Sequence, residues 1–295
     1  MARFGTVLTA MVTPFAPDGS LDTAAAGELA RWLVDHGNDG LVVAGTTGES
    51  PVLTDDERLD LFRAVRAAVD VPLVAGATTN DTAHSVEMTR AAAEIGMDAI
   101  LAVVPYYNKP TQAGLDAHFR AVAEASDLPV MLYDVPGRTG RPLETATIAR
   151  LADEVPTIVA LKDAGGHPER AARLLSHVPA GFEVYSGDEP LSLAFAAYGA
   201  VGVVGVASHW SAPRQRELFD AVAAGDLATA RRLDHELQES YRFMNNDERV
   251  FSQSVKVALD VLGVEVGACR LPLGPAPDGS ADDARTVLRG LGFEL

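Results

Sequence analysis

Eight times along this chain, a short run of apolar, largely β-branched residues is followed by a longer amphipathic one. The short runs fall at residues 7–12, 41–44, 73–75, 99–104, 130–133, 158–162, 182–186 and 201–206. Helical spacing follows them near 23–36, 55–69, 81–95, 112–125, 143–151, 168–177, 190–198 and 213–223. In the first of these segments Leu29, Trp32, Leu33 and His36 share one face. The short runs do not alternate apolar with polar residues, which is the pattern of parallel strands covered on both faces. Regular strand–helix alternation implies a parallel sheet. Eight units suit a closed (β/α)8 barrel, although periodicity alone also admits an open doubly wound sheet. Glycine and proline mark the joints at Gly37, Gly40, Pro72, Gly96, Pro129, Pro156, Gly181 and Gly199.

Beyond Gly225 only helical patterns remain, near 227–242, 247–262 and 282–288. Pro272, Pro275 and Pro277 separate the last two. The expected fold class is therefore α/β: a (β/α)8 TIM barrel over residues 1–224 with a C-terminal helical extension, 225–295, packed on it. A chain of 295 residues with 47% hydrophobic content suffices for a core of that size.

The 24 basic and 41 acidic side chains give a formal net charge of −17. A field of that sign repels nucleic acid and anionic lipid, so neither is an expected partner. An anionic substrate would need a local positive group. The one cysteine, Cys269, excludes an internal disulfide, fits a reducing compartment and reads as inert. The residues from Met1 to Phe4 lack the regions of a signal peptide, and no run approaches the length of a membrane span. The cytoplasm is the expected compartment.

In such a barrel the active site lies at the C-terminal ends of the strands. Lys162 ends the run Ile158-Val159-Ala160-Leu161, and by the period of two it shares a face with Ile158 and Ala160. If Ala160 points inward, so does Lys162, near the barrel mouth. Partial desolvation there lowers an amine pKa, and a neutral amine is what Schiff-base formation needs. Taken alone, Lys162 reads as a solvated strand-end lysine. Tyr133 closes the neighbouring strand, where its phenol could move protons on and off an imine intermediate through Thr46, Thr47 and Tyr107. Alone, it too reads as a packed aromatic. The turn Gly45-Thr46-Thr47-Gly48 offers hydroxyls and free N–H groups to a small carboxylate, and it lacks the P-loop signature. Arg138, in a loop shaped by glycine and proline, could grip a second carboxylate through its guanidinium fork. Asp188 reads as a helix cap, and the histidines on or beside helices (His84, His118, His209, His235) as packing or surface residues. No His-Glu-x-x-His motif, cysteine cluster or paired carboxylate suggests a metal.

Taken together these motifs are specific. Gly45-Thr46-Thr47-Gly48-Glu49, Pro105-Tyr106-Tyr107-Asn108, Tyr133-x-Val135-Pro136-x-Arg138-Thr139-Gly140 and Leu161-Lys162-Asp163 span the chain. With them the sequence resembles the pyruvate-dependent class I aldolases of the dihydrodipicolinate synthase / N-acetylneuraminate lyase family. The resemblance implies that Lys162 carries the Schiff base, that Tyr133 donates and accepts protons, and that Thr46 and Tyr107 relay them. It implies that Tyr107 reaches in from a neighbouring subunit, that Thr47 holds the pyruvate carboxylate, and that the Val204 backbone contacts pyruvate. Arg138 then grips the carboxylate of a second substrate, L-aspartate 4-semialdehyde, in lysine and diaminopimelate synthesis. No cofactor and no metal are implied beyond the covalent Schiff base, and the implied assembly is a homotetramer, a dimer of dimers. Sister aldolases acting on N-acetylneuraminate or 2-keto-3-deoxy sugar acids share Lys162, Tyr133 and the Gly-Thr turn; they generally lack Arg138. A non-catalytic binding paralogue is the remaining alternative. Two departures stand out. Asp134 replaces a common Asn, and Asp55, Arg58 and His84 occupy positions of a lysine-feedback site at which Ser50 and Asn80 remain. Weak or absent inhibition by lysine is expected.

Overall fold

A computed structural model describes residues 2–295. Its centre is a closed barrel of eight parallel strands in sequence order. In chain order the elements are β1 (Val7–Ala10), α1 (Thr23–Asp35), β2 (Gly40–Val43), α2 (Asp55–Ala68), β3 (Leu73–Ala75), α3 (Thr82–Ile95), β4 (Ala99–Val103) and α4 (Gln112–Ala123). There follow β5 (Val130–Asp134), α5 (Pro136–Thr139), α6 (Thr145–Glu154), β6 (Ile158–Asp163), α7 (Glu169–Leu175), β7 (Glu183–Ser186), α8 (Ser192–Ala197), β8 (Gly202–Gly205) and α9 (Ser208–Ala223). The extension consists of α10 (Leu227–Met244), α11 (Phe251–Val261) and α12 (Ser280–Gly290). Closure rules out the open sheet, and β1 pairs with both β2 and β8. Gly202 makes this closure possible, because a Cβ there would lie 2.2 Å from the Thr6 carbonyl oxygen.

The strands' two faces serve two separate cores. Leu8, Val42, Val74, Leu101, Met131, Ala160, Tyr185 and Val204 fill the barrel interior. Val7, Leu41, Leu73, Ile100, Leu132, Leu161, Val184 and Val203 pack outward against the helices. This explains the unbroken apolar runs: neither face of a strand meets water. Leu233, Leu237, Val255, Leu259 and Leu288 of α10, α11 and α12 join the outer core, so the extension shares its packing with the barrel.

Three local expectations change. Ile158 packs with the outer core and not beside Ala160, because the β5–β6 register shifts between Val130 and Met131. Such a bulge makes an extra residue break the period of two. The helix placed at 213–223 starts at Ser208, with Pro213 inside it. Its first turn is buried, and Glu189 caps it: Val206 N and Ala207 N donate to Oε2 at 2.7 and 3.0 Å, and Ser208 N to Oε1 at 3.1 Å. Burial and that cap offset the one backbone bond that Pro213 removes. Asp188, the expected cap, makes no side-chain capping bond.

Candidate active site

Lys162 and Tyr133 are directly paired across β5 and β6, both at the C-terminal end of the barrel. Ala160 belongs to the interior core, and Lys162, two residues on, is only 5% exposed. Its Nζ lies 4.4 Å from the centroid of the Tyr133 ring. Gly187 clears the space alongside, where a Cβ would come within 2.9 Å of Lys162 Cγ. Burial lowers the Lys162 amine to about 8; the Arg138 charge acts in the same direction, and the Glu189 carboxylate opposes both. A neutral, nucleophilic amine is thus within reach near neutral pH. Burial raises the Tyr133 phenol, against hydrogen bonding from Thr46 and the charge of Arg138. The shift keeps the phenol protonated near neutral pH.

The turn after β2 is held in an unusual backbone. Ala44 and Glu49, which flank it, have φ of 55° and 56°, a left-handed region that non-glycine residues seldom occupy. Three sets of contacts hold it there. Thr13 Oγ1 donates to the Gly48 carbonyl at 2.6 Å, and Ser252 Oγ to the Thr47 carbonyl at 2.8 Å. Buried Glu49 pairs with buried Lys256 at 2.9 Å and accepts from Arg270 N at 2.9 Å. Lys256 lies on α11 and Arg270 beyond it, so the extension fastens this turn of the barrel. Lys256 and Arg270 also sit over the Phe15 ring, at 4.4 and 4.2 Å.

Arg138 lies on α5, a single turn opened by Pro136 and closed by left-handed Gly140. A cavity of 240 Å³ is walled by residues that include Thr46, Tyr133, Arg138, Arg58, Ser50 and Tyr106. Lys162, Thr47 and Val204 are not in that wall. Lys162 approaches it at the Tyr133 ring, Thr47 is buried in its turn, and Val204 is buried in the barrel interior. Tyr107 does not join the others within the chain. It is 89% exposed, in a loop where its φ is 72°. A second cavity, of 190 Å³, shares Thr46, Pro51 and Arg138 with the first and is closed by Phe251 and Ser252 of α11.

Sequence reasoning left several supporting residues out. Arg170 bridges the two strand ends behind Tyr133 and Lys162, with Nη2 2.6 Å from Asp134 and Nε 3.3 Å from Asp163. Asp134 and Asp163 are themselves paired in register and wholly buried. Glu189 follows Asp188, the residue read as a cap, but the backbone N–H groups it accepts from are 17 to 19 residues away. Cys269 is buried, and its thiol is pushed up to about 12, mainly by burial. His209 is buried and lowered to about 4, with Nδ1 2.7 Å from the Val206 carbonyl. No helix among the described residues is long and apolar enough to cross a membrane.

Fold and site define a class: a (β/α)8 barrel with a buried lysine and tyrosine paired on adjacent strand ends, the arrangement that class I aldol chemistry needs. The chain belongs to the dihydrodipicolinate synthetase family, whose sequence profile matches residues 3–290. It is 50% identical over 277 residues to the 4-hydroxy-tetrahydrodipicolinate synthase of Mycolicibacterium paratuberculosis, covering 93% of this chain and 91% of that one. It is 44% identical over 295 residues to the enzyme of the same name from Moorella thermoacetica, covering 99% of each. Among solved structures, a dihydrodipicolinate synthase of Bacillus anthracis superposes with a TM-score of 0.94 at 41% identity, covering 100% of both chains. One from Cyanidioschyzon merolae, with lysine bound, superposes with a TM-score of 0.94 at 40% identity, again over 100% of both.

Proposed function

We propose that this enzyme condenses pyruvate with L-aspartate 4-semialdehyde to give 4-hydroxy-tetrahydrodipicolinate. The observation that carries the reading is the buried Lys162 amine, lowered to about 8 and set 4.4 Å from the Tyr133 ring. Lys162 Nζ attacks C2 of pyruvate, and loss of water from the carbinolamine leaves an iminium. Loss of a C3 proton gives the enamine, whose C3 attacks the aldehyde carbon. The amino group of the second substrate then displaces Lys162 from C2 and closes the ring. One water leaves over the whole reaction, and lysine is regenerated. Tyr133, kept protonated by burial, carries the protons, with Thr46 and a neighbouring subunit's Tyr107 as relay. Thr47 and the Val204 backbone hold pyruvate, and Arg138 takes the second carboxylate. The chemistry needs no cofactor other than the enzyme's own lysine, and the protein would work in the cytoplasm as a homotetramer.

Arg138 supports this reading over a sugar-acid lyase, because it puts a cation in the wall shared by the two cavities. The test has two parts. Incubation with pyruvate and borohydride should add the reduced pyruvyl mass at Lys162; an unmodified Lys162 overturns the mechanism. Turnover with aspartate semialdehyde should exceed that with N-acetylneuraminate; the reverse order overturns the choice of substrate.

A further inference from the structure

The helix α11 opens at the barrel mouth, and its first two residues touch both groups assigned to carboxylate binding. Ser252 Oγ, buried, donates to the Thr47 carbonyl at 2.8 Å. The Phe251 ring lies 4.9 Å from the Arg138 guanidinium carbon. A guanidinium resting on an aromatic face keeps its N–H edge free for a carboxylate. Phe251, Ser252 and Arg138 also wall the 190 Å³ cavity that adjoins the Tyr133 cavity. The two contacts come from neighbouring residues of one helix but reach different arms of the site: Thr47 after β2, and Arg138 after β5.

We propose that the first turn of α11 sets the affinity for the two substrates separately, Ser252 by positioning Thr47 for pyruvate and Phe251 by positioning Arg138 for the carboxylate of the aldehyde. Both are positioning residues, since neither is assigned a contact with the reacting atoms. The proposal rests on the function given above. It makes the extension part of the substrate site and not only a cover for the barrel.

The test is steady-state kinetics on the full-length enzyme, with each substrate varied while the other saturates. Ser252→Ala should raise the pyruvate KM about fivefold, the value of one lost hydrogen bond, and move the aldehyde KM much less. Phe251→Leu should raise the aspartate-semialdehyde KM about fivefold, the value of one cation–π contact, and move the pyruvate KM much less. Ser252→Thr and Phe251→Tyr, which keep the hydroxyl and the aromatic face, should bring each constant back towards the wild-type one. Equal shifts of both constants in either variant, or no rescue by the conservative change, overturn the proposal. The pyruvate concentration that half-saturates borohydride trapping reads the Ser252 arm without a second substrate. If wild-type enzyme traps pyruvate but does not turn over aspartate semialdehyde, the assigned aldehyde falls, while the trapping constant of Ser252→Ala still decides the Ser252 arm.

Discussion

At the scale of single residues, Lys162 is both the proposed Schiff-base group and a cost to the fold. Its amine is lowered from 10.5 to about 8, chiefly by burial. Below pH 8 both the folded and the unfolded chain carry the proton, so the full penalty of a buried ammonium is present. As pH rises from 8 towards 10.5 the unfolded state alone keeps the proton, and the penalty is relieved. Lys162→Met should therefore abolish pyruvate trapping yet raise stability at pH 7 by about 3 kcal/mol, read from urea unfolding. A less stable variant would contradict that. The neutral fraction of Lys162 should make the trapping rate climb about fivefold between pH 7 and 8 before it levels off. A flat profile would show that the lysine is not the titrating group. Arg58 carries the third expectation. It is 4% exposed, donates from Nη2 to the Ser50 carbonyl at 3.0 Å, and lines the cavity with Tyr106. His84 and Asp55, the other two departures at this site, are tied to each other at 2.9 Å. A lysine ammonium would meet a guanidinium there, so millimolar lysine should leave the initial rate nearly unchanged; a halved rate would refute this.

At the scale of elements, the strand ends are set by ion pairs between neighbours. Asp134 and Asp163 extend β5 and β6 one residue past Tyr133 and Lys162, and Arg170 bridges them. Burial raises both carboxyls, and Arg170 is the main force against it. The Asp134 departure is thus accounted for: Oδ1 accepts from Leu143 N at 3.1 Å and Oδ2 faces Arg170. Arg170→Ala strands two buried carboxylates and should cost about 3 kcal/mol in urea unfolding; a loss under about 1 kcal/mol would show the bridge to be incidental. Element order was legible in the sequence, because period and composition are local. Element starts were less so. The capping partner of α9 is Glu189, before α8, and a window along the sequence cannot associate the two. The β6 bulge likewise moves Ile158 to the outer core while leaving Lys162 inward.

At the scale of the whole molecule, the proposed site draws one residue from outside the chain. Tyr107, assigned to the proton relay, is almost fully exposed and held in a left-handed backbone that costs energy to maintain. Assembly across a two-fold axis would bury it in a partner's mouth and supply the missing hydroxyl. The expectation is checked by complementation. Tyr107→Phe and Lys162→Met, each nearly inactive alone, should regain about a quarter of wild-type activity when co-expressed, because random pairing builds one complete site in half of the dimers. Activity no greater than the sum of the separate variants would place Tyr107 outside the reaction.

The sequence by itself determined the eight strand–helix units, their parallel order and the strand-end positions of Lys162 and Tyr133. Those follow from hydrophobic periodicity and from the rule that barrel sites gather at strand C-termini. Tertiary structure decided the surroundings of these residues and how they are held. Lys162 is lowered because burial removes water from around it, and burial is a property of packing. Thr47 is anchored by Ser252, 205 residues away, and Glu49 by Arg270, 221 residues away. Contacts of that range leave no periodic trace in the chain, because only the closed barrel and its docked extension bring them together.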